Sequence, residues 1–183
     1  MAEEIGPDGL VVGRTCGPCT MCCKVLKIDW LEPPKAAGQW CGYCKPGQGC
    51  KIWENRPDGC AAYHCHWRRD PRLGDEWRPD KAGFLINLEA AHLPYSVSVD
   101  PGRSDSWRKE PYYSGLKRAA LSAIAHQKIL VVIVGQRHWL VLPDGDVQVP
   151  AGLENTDFRV FQETPLLGGR WKIQFLQSGQ VLP

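Results

Sequence analysis

The pattern of hydrophobic and polar residues divides the chain into two parts of different character. From residue 83 onward, apolar residues alternate with polar ones or form short runs, which is typical of β-strands. Strands are predicted over residues 83–89, 95–100, 129–134, 138–142, 147–149, 158–162 and 171–177. Gly135-Gln136 and residues 143–146 predict tight turns between three of them, so these strands should form antiparallel hairpins.

One long helix is predicted in the same part of the chain. Glu110-Pro111 places a proline in what would be the first turn, where helices accept it best. Beyond it, apolar residues recur at the spacing of one helical face: Leu116, Ala119, Ala120, Ala123 and Ile124. The helix and strands together predict an α+β fold with a mostly antiparallel sheet and about one long helix.

The first 82 residues lack this periodicity. Residues 1–15 are predicted to be a flexible N-terminus with one short apolar patch, Leu10-Val11-Val12. Residues 25–28 fit a strand or a helix start equally well, and residues 50–56 have helical spacing. Glycine and proline recur between residues 38 and 50, which predicts a loop without a core of its own. We therefore predict three regions: 1–15, a loop-rich unit over 16–82, and an α+β region over 83–183.

All nine cysteines lie in the loop-rich unit. The acidic N-terminus is followed by no long apolar run, which argues against a secretory signal, and Ile129–Val134 is too short to span a bilayer. We therefore expect a cytoplasmic protein without membrane contact, and in the cytoplasm thiols stay reduced. Dense cysteines in that compartment indicate metal binding rather than disulfides, and an odd number cannot all pair within one chain.

The spacing of the cysteines supports metal ligation. The CxxC pairs Cys16–Cys19 and Cys41–Cys44 each place two sulfurs on one side of a turn, as tetrahedral thiolate sites require. Cys22-Cys23 are adjacent, and neighbours in extended backbone point in opposite directions, which suits two centres or two sides of one cluster. Nine thiols would fill two four-coordinate sites with one to spare, or one multinuclear site.

Zinc, held mainly for structure, is the metal we expect. The predicted ligands are eight of the nine cysteines: Cys16, Cys19, Cys22, Cys23, Cys44, Cys50, Cys60 and Cys65. Cys41 is omitted because Cys44 lies closer to the glycine-rich turn before Cys50. The alternative is iron, or an iron–sulfur cluster with an electron-transfer or oxidoreductase-accessory role, because soft thiolates suit both metals.

The same cysteine pattern resembles a known family, the YkgJ-type CxxCxxCC proteins. The resemblance covers roughly residues 14–82 and implies a zinc- or iron-chelating domain, without implying a reaction. The final Cys65 is flanked by His64 and His66 rather than by the proline and apolar context usual in the family. The matching stretches are Cys16 to Cys23, Gly49-Cys50, Trp53, Arg56-Pro57, Cys60 and Cys65.

Residues interleaved with the cysteines have supporting roles in this interpretation. His64 and His66 could each replace a cysteine, but surface positions beside Trp67 are expected. The tryptophans should shield the metal–sulfur bonds: Trp30, Trp40, Trp53, Trp67 and Trp77. Basic side chains should offset the charge of the thiolates: Lys24, Lys27, Lys45, Lys51 and Arg56.

Charge and motifs exclude several other classes of function. The net charge is +2 and is spread evenly, so no large polyanion-binding face is indicated and nucleic acid is an unlikely partner. Residues 103–118 mix basic and aromatic side chains, which leaves a third alternative, a zinc-containing adaptor that binds a protein or nucleic acid. No P-loop, GxGxxG, GxSxG or HExxH motif occurs, so no catalytic residues are predicted and enzymatic activity is not expected.

Overall fold

The computed structural model describes residues 4–87, 95–153, 156–164 and 169–176. Four α-helices lie within those ranges: α1 Cys22–Val25, α2 Asp58–Ala62, α3 Pro79–Ala82 and α4 Tyr112–Ala125. Short 3-10 helices occupy Trp53–Asn55, His66–Arg68, Asp75–Trp77, Pro101–Arg103 and Ser106–Arg108. The strands are β1 Cys44–Lys45, β2 Gly49–Cys50, β3 Phe84–Asn87, β4 Tyr95–Val99, β5 Leu130–Val134, β6 Arg137–Leu142, β7 Gly145–Gln148, β8 Phe158–Gln162 and β9 Trp171–Phe175.

The main sheet has five strands in the order β3-β4-β5-β6-β7. All neighbours are antiparallel except β4 and β5, which are parallel and are connected through α4. Val134 pairs with Arg137, so Gly135-Gln136 forms the predicted two-residue turn, and Gly135 has the positive φ of +60° that this turn requires. The prediction of an α+β fold with a mostly antiparallel sheet and one long helix is confirmed.

One face of the sheet packs against α4. Alternate strand residues point toward the helix, as the two-residue period requires. Leu116, Ala120 and Ala123 of α4 are buried there, whereas Ala119, predicted on the same face, is exposed. The buried members of this core are Ala82, Phe84, Val97, Val99, Trp107, Leu116, Ala120, Leu130, Val132, Val134, Trp139 and Val141.

The other face of the sheet is covered at both ends. At the β3 end, Leu85 packs against Met21 and Val25 of the cysteine-rich unit. At the β6 end, Leu140 and Leu142 form a cluster with residues of the two-stranded sheet β8-β9. The cysteine-rich unit is therefore fixed to the edge of the main sheet through apolar contacts.

Several local predictions need correction. The N-terminus was expected to be flexible, but Leu10 and Val11 are buried, and the Val11 N–H donates to the Arg68 carbonyl at 2.8 Å. Residues 25–28 end helix α1 and then form a bridge between Ile28 and Lys35. Cys50 ends β2, and the rest of residues 50–56 contain a 3-10 helix rather than an α-helix. The predicted strand ends 88–89 and 177 lie outside the described residues.

A helix that crosses a bilayer needs about 20 predominantly apolar residues. Within the described part of the chain, no helix is long and apolar enough to cross a membrane.

Candidate metal centre

One tight turn and one short helix position the first cysteines. The Cys19 N–H donates to the Cys16 carbonyl at 2.9 Å, and Gly17 between them has a φ of +48°. Cys22 and Cys23 then begin α1. The expectation that this pair lies in extended backbone is therefore wrong. In a helix, successive side chains point only about a third of a turn apart, not in opposite directions.

The second CxxC pair is joined to the first through the backbone. The Cys41 N–H donates to the Cys23 carbonyl at 2.9 Å, and the Cys44 N–H donates to the Cys41 carbonyl at 3.0 Å. Cys44 then pairs with Cys50 across the β1-β2 hairpin. This hairpin brings a loop with few apolar residues close to α1.

The cysteines surround a cleft of about 130 Å³ that opens to solvent. Seven of the eight predicted ligands line it, together with Cys41, which was left out of the prediction. Cys44 was predicted as a ligand but does not line the cleft, and its thiol is hydrogen-bonded to Cys23 and Thr20. The lining cysteines are Cys16, Cys19, Cys22, Cys23, Cys41, Cys50, Cys60 and Cys65.

The sulfurs are distributed over the walls of the cleft. All nine cysteines are free, and all nine belong to the described residues. Within those residues, no three side chains of the His, Cys, Asp and Glu types are arranged to hold a single ion. The cleft therefore has many soft sulfur donors spread around an open volume. It is not a tetrahedral set of donors arranged around the position of one metal ion.

Several of these thiols are held in the neutral form. Burial raises the pKa of Cys19 to about 11 and that of Cys44 to about 12, and burial also raises the pKa of Cys65. The pKa of Cys23 is raised mainly by its hydrogen bond with Cys22 and then by burial. A metal that binds here as a thiolate complex would therefore displace protons.

A buried lysine that the sequence did not single out lies near the thiols. Lys35 is only 6% exposed, and its Nζ donates to the carbonyls of Lys24, Ala36 and Gln39 at 2.9–3.1 Å. Burial lowers the pKa of Lys35, and the neighbouring thiols of Cys41, Cys23 and Cys22 act in the opposite direction. No local sequence pattern predicts the burial of Lys35 beside these thiols, because that burial depends on the tertiary structure.

The basic residues named from the sequence are mostly engaged elsewhere. Lys24 pairs with Asp100 at 2.6 Å, and Lys27 pairs with Asp29 at 3.0 Å. The Lys51 Nζ donates to the Gly42 carbonyl at 3.3 Å. The contacts of these three lysines therefore do not include a cysteine thiol whose charge they could offset.

The two histidines near Cys65 are half-buried rather than exposed as expected. His64 lines the cleft, with its Nδ1 2.9 Å from Arg68 Nη1, which also lies 3.9 Å from the Cys16 sulfur. His66 lies outside the cleft, with its Nε2 3.1 Å from the carboxylate of Asp70. Arg68 thus contacts the thiol of a candidate ligand, and Arg78 Nη2 donates to the carbonyl of the same residue, Cys16, at 3.5 Å.

The tryptophans form only part of the predicted shield. Trp67 is buried and lines the cleft. Trp30 and Trp53 also line the cleft but are 56% and 44% exposed, whereas Trp40 is 44% exposed and does not line it. Trp77 belongs to the core under α4, where its ring meets Phe84 and Tyr112 edge-on. The mouth of the cleft is therefore aromatic and open.

Comparisons with known proteins do not add an identity to this geometry. No family model matches the sequence, and no curated protein or solved structure matches it either. The similarity to the YkgJ-type family therefore stays a prediction from the cysteine pattern alone.

Proposed function

We propose that this chain is a metal-binding protein that chelates zinc or iron through the cysteines of the cleft. The observation that carries the proposal is the convergence of eight free cysteines on one cleft. The ligands would come from these eight, with Cys41 in the place that the sequence prediction gave to Cys44. When bound, the metal would supply cross-links between turns that share few other contacts.

A mainly structural role for the metal is supported by the composition of the local core. In the cluster around Ile28 and Leu31, the remaining buried members are Cys41 and Cys44, with Cys23 and Cys60 packed against them. A core built largely of thiols buries little apolar surface, so thiolate–metal bonds would contribute much of the folding free energy of this unit. We include a cytoplasmic location in the proposal, because nine free thiols suit a reducing compartment.

An iron–sulfur cluster is the second candidate, and the spread of the sulfurs favours it. A single buried water needs roughly 10–15 Å³ of such space, whereas the cleft measures about 130 Å³. No three donors converge as they would around one ion within the described residues, which include every cysteine. Sulfurs placed around a larger space suit a cluster with several irons, and an electron-transfer or oxidoreductase-accessory role would follow.

Purification without oxygen, followed by elemental analysis and a visible spectrum, distinguishes these candidates. A colourless protein with about one or two zinc ions per chain supports the structural role. A brown protein containing iron and acid-labile sulfide supports the cluster. A protein that retains neither metal, and that acquires none when zinc or iron and sulfide are added under reducing conditions, contradicts the proposal.

A further inference from the structure

The charged side chains that line the cleft all belong to basic residues. Among the described residues that form its walls, there is no carboxylate, and the cations are Lys27, Arg56, Arg68 and Arg78. Lys27 is paired with Asp29, Arg78 lies 3.0 Å from Asp80, and Arg68 contacts His64. Arg56 differs from all three, because among the described residues it contacts neither a carboxylate nor a histidine.

Arg56 is held at the mouth of the cleft. Its guanidinium lies 3.8 Å from the ring centroid of Trp53, and its Nη1 donates to the Trp53 carbonyl at 2.8 Å. The Nε of Arg56 is buried and has no hydrogen-bond partner among the described residues. It donates no hydrogen bond to any described cysteine, in contrast to Arg68, so compensation of thiolate charge does not account for its position.

Exposed aromatic side chains line the same cleft as this guanidinium. Trp30, Tyr43 and Trp53 line the cleft and are 56%, 41% and 44% exposed. A Cβ added to Gly59 would lie 2.5 Å from Trp30 Cε2, so the indole rests directly on the backbone of α2. Aromatic faces exposed together at a cleft are typical of a ligand site, because water solvates them poorly.

We propose that the outer part of the cleft binds a small anionic molecule with a flat, apolar body. The body stacks on Trp30 and Trp53, and the anionic group accepts hydrogen bonds from Arg56. A small molecule fits better than a nucleic acid strand, because the net charge is only +2 and the basic residues are spread evenly along the sequence. The inference rests on the proposed function in one respect, since this ligand would lie beside the proposed metal centre.

Calorimetric titration of the metal-loaded protein with three matched probes tests this inference. The probes are 2-naphthoate, 2-naphthyl phosphate and the neutral 2-naphthalenemethanol, which share one ring system. We expect saturable binding of at least one anion, about 10-fold or more tighter than that of the alcohol. The two anions distinguish carboxylate from phosphate, and either of them satisfies the proposal.

Matched variants separate charge from stacking. Arg56→Gln should remove the preference for the anion and leave binding of the alcohol unchanged. Trp30→Leu should weaken all probes that bind by about 10-fold, since loss of one stacking platform has roughly that effect. Trp40→Leu is the control, because Trp40 is as exposed as Trp53 but lies outside the cleft.

Metal content and circular dichroism are recorded for every variant, so that loss of the metal or the fold is not mistaken for loss of the ligand site. Selective anion binding by a folded protein that holds no metal would contradict the proposed function and leave this inference standing. The inference is overturned if the folded, metal-loaded protein binds no anion saturably or binds the alcohol equally well. Equal weakening by Trp40→Leu and Trp30→Leu overturns it too.

Discussion

Substitution of Cys41 and Cys44 one at a time tests the assignment of the ligands. The two residues belong to the same CxxC pair and are both almost fully buried, but only Cys41 lines the cleft. Serine is nearly isosteric with cysteine and is a far weaker ligand for soft metals. Cys41→Ser should therefore lose more metal than Cys44→Ser, because in Cys44→Ser the hydroxyl keeps the hydrogen bond to the candidate ligand Cys23.

The magnitudes follow from the contacts of each thiol. Loss of an outer partner of a metal ligand typically weakens metal binding 10- to 100-fold, and loss of a ligand should weaken it at least that much, by about 1.4–2.8 kcal/mol. Cys44→Ser buries a hydroxyl, but Cys23 and Thr20 lie within hydrogen-bonding reach of the thiol that it replaces. We therefore expect it to lower the free energy of unfolding by only about 1 kcal/mol.

The assay is competition with a chromophoric chelator, combined with chemical denaturation of the metal-loaded proteins. Metal per chain is plotted against chelator concentration for the wild type and both serine variants. Equal loss of metal in the two variants, or greater loss in Cys44→Ser, would refute the assignment of Cys41 to the metal centre.

Three further predictions follow from the same structure. Chelation of the metal under reducing conditions should unfold the cysteine-rich unit while amides of the β5-β6 hairpin stay protected, as hydrogen exchange will show; uniform protection would contradict a structural metal. Metal affinity should rise between pH 6 and pH 8, tenfold per pH unit for each proton released on binding. The reason is that the raised pKa values of thiols such as Cys19, at about 11, keep them protonated until metal binds. A competition titration that shows no pH dependence would contradict this prediction. Gly115→Ala places a Cβ 2.6 Å from the ring of Trp77 and should lower the free energy of unfolding by about 1–3 kcal/mol in thermal denaturation. Gly145→Ala is the control, since its Cβ would have no neighbour within 4 Å, and equal stability of the two variants would refute the packing argument.

Much of the C-terminal region could be predicted because its signals are local. The run of β-branched residues over 129–134 predicts a buried strand, and Gly135-Gln136 by itself predicts the turn to β6. The parallel pairing of β4 with β5 was missed, although a helix between two strands is the usual connection of a parallel pair. The order strand, helix, strand over β4, α4 and β5 is the pattern that indicates this parallel pair.

The arrangement of the cleft could not be predicted because it depends on contacts distant in sequence. Cys41 rather than Cys44 reaches the cleft because its backbone is hydrogen-bonded to Cys23, 18 positions earlier in the chain. Lys35 is buried because three carbonyl groups surround its ammonium. Leu10 and Val11 are ordered through packing and through a hydrogen bond to the backbone of Arg68. Spacing alone indicates which residues are candidates, and tertiary structure decides which of them meet.

X-ray absorption spectroscopy of the bound metal tests the central claim most directly, since it reports the ligand atoms themselves. We predict a first shell of sulfur alone, at about 2.3 Å for zinc, with a second shell of iron in the case of a cluster. The signal should disappear in a variant in which Cys16, Cys19 and Cys22 are all replaced by serine. A first shell dominated by oxygen or nitrogen at about 2.0–2.1 Å would contradict metal binding by the cysteines of the cleft.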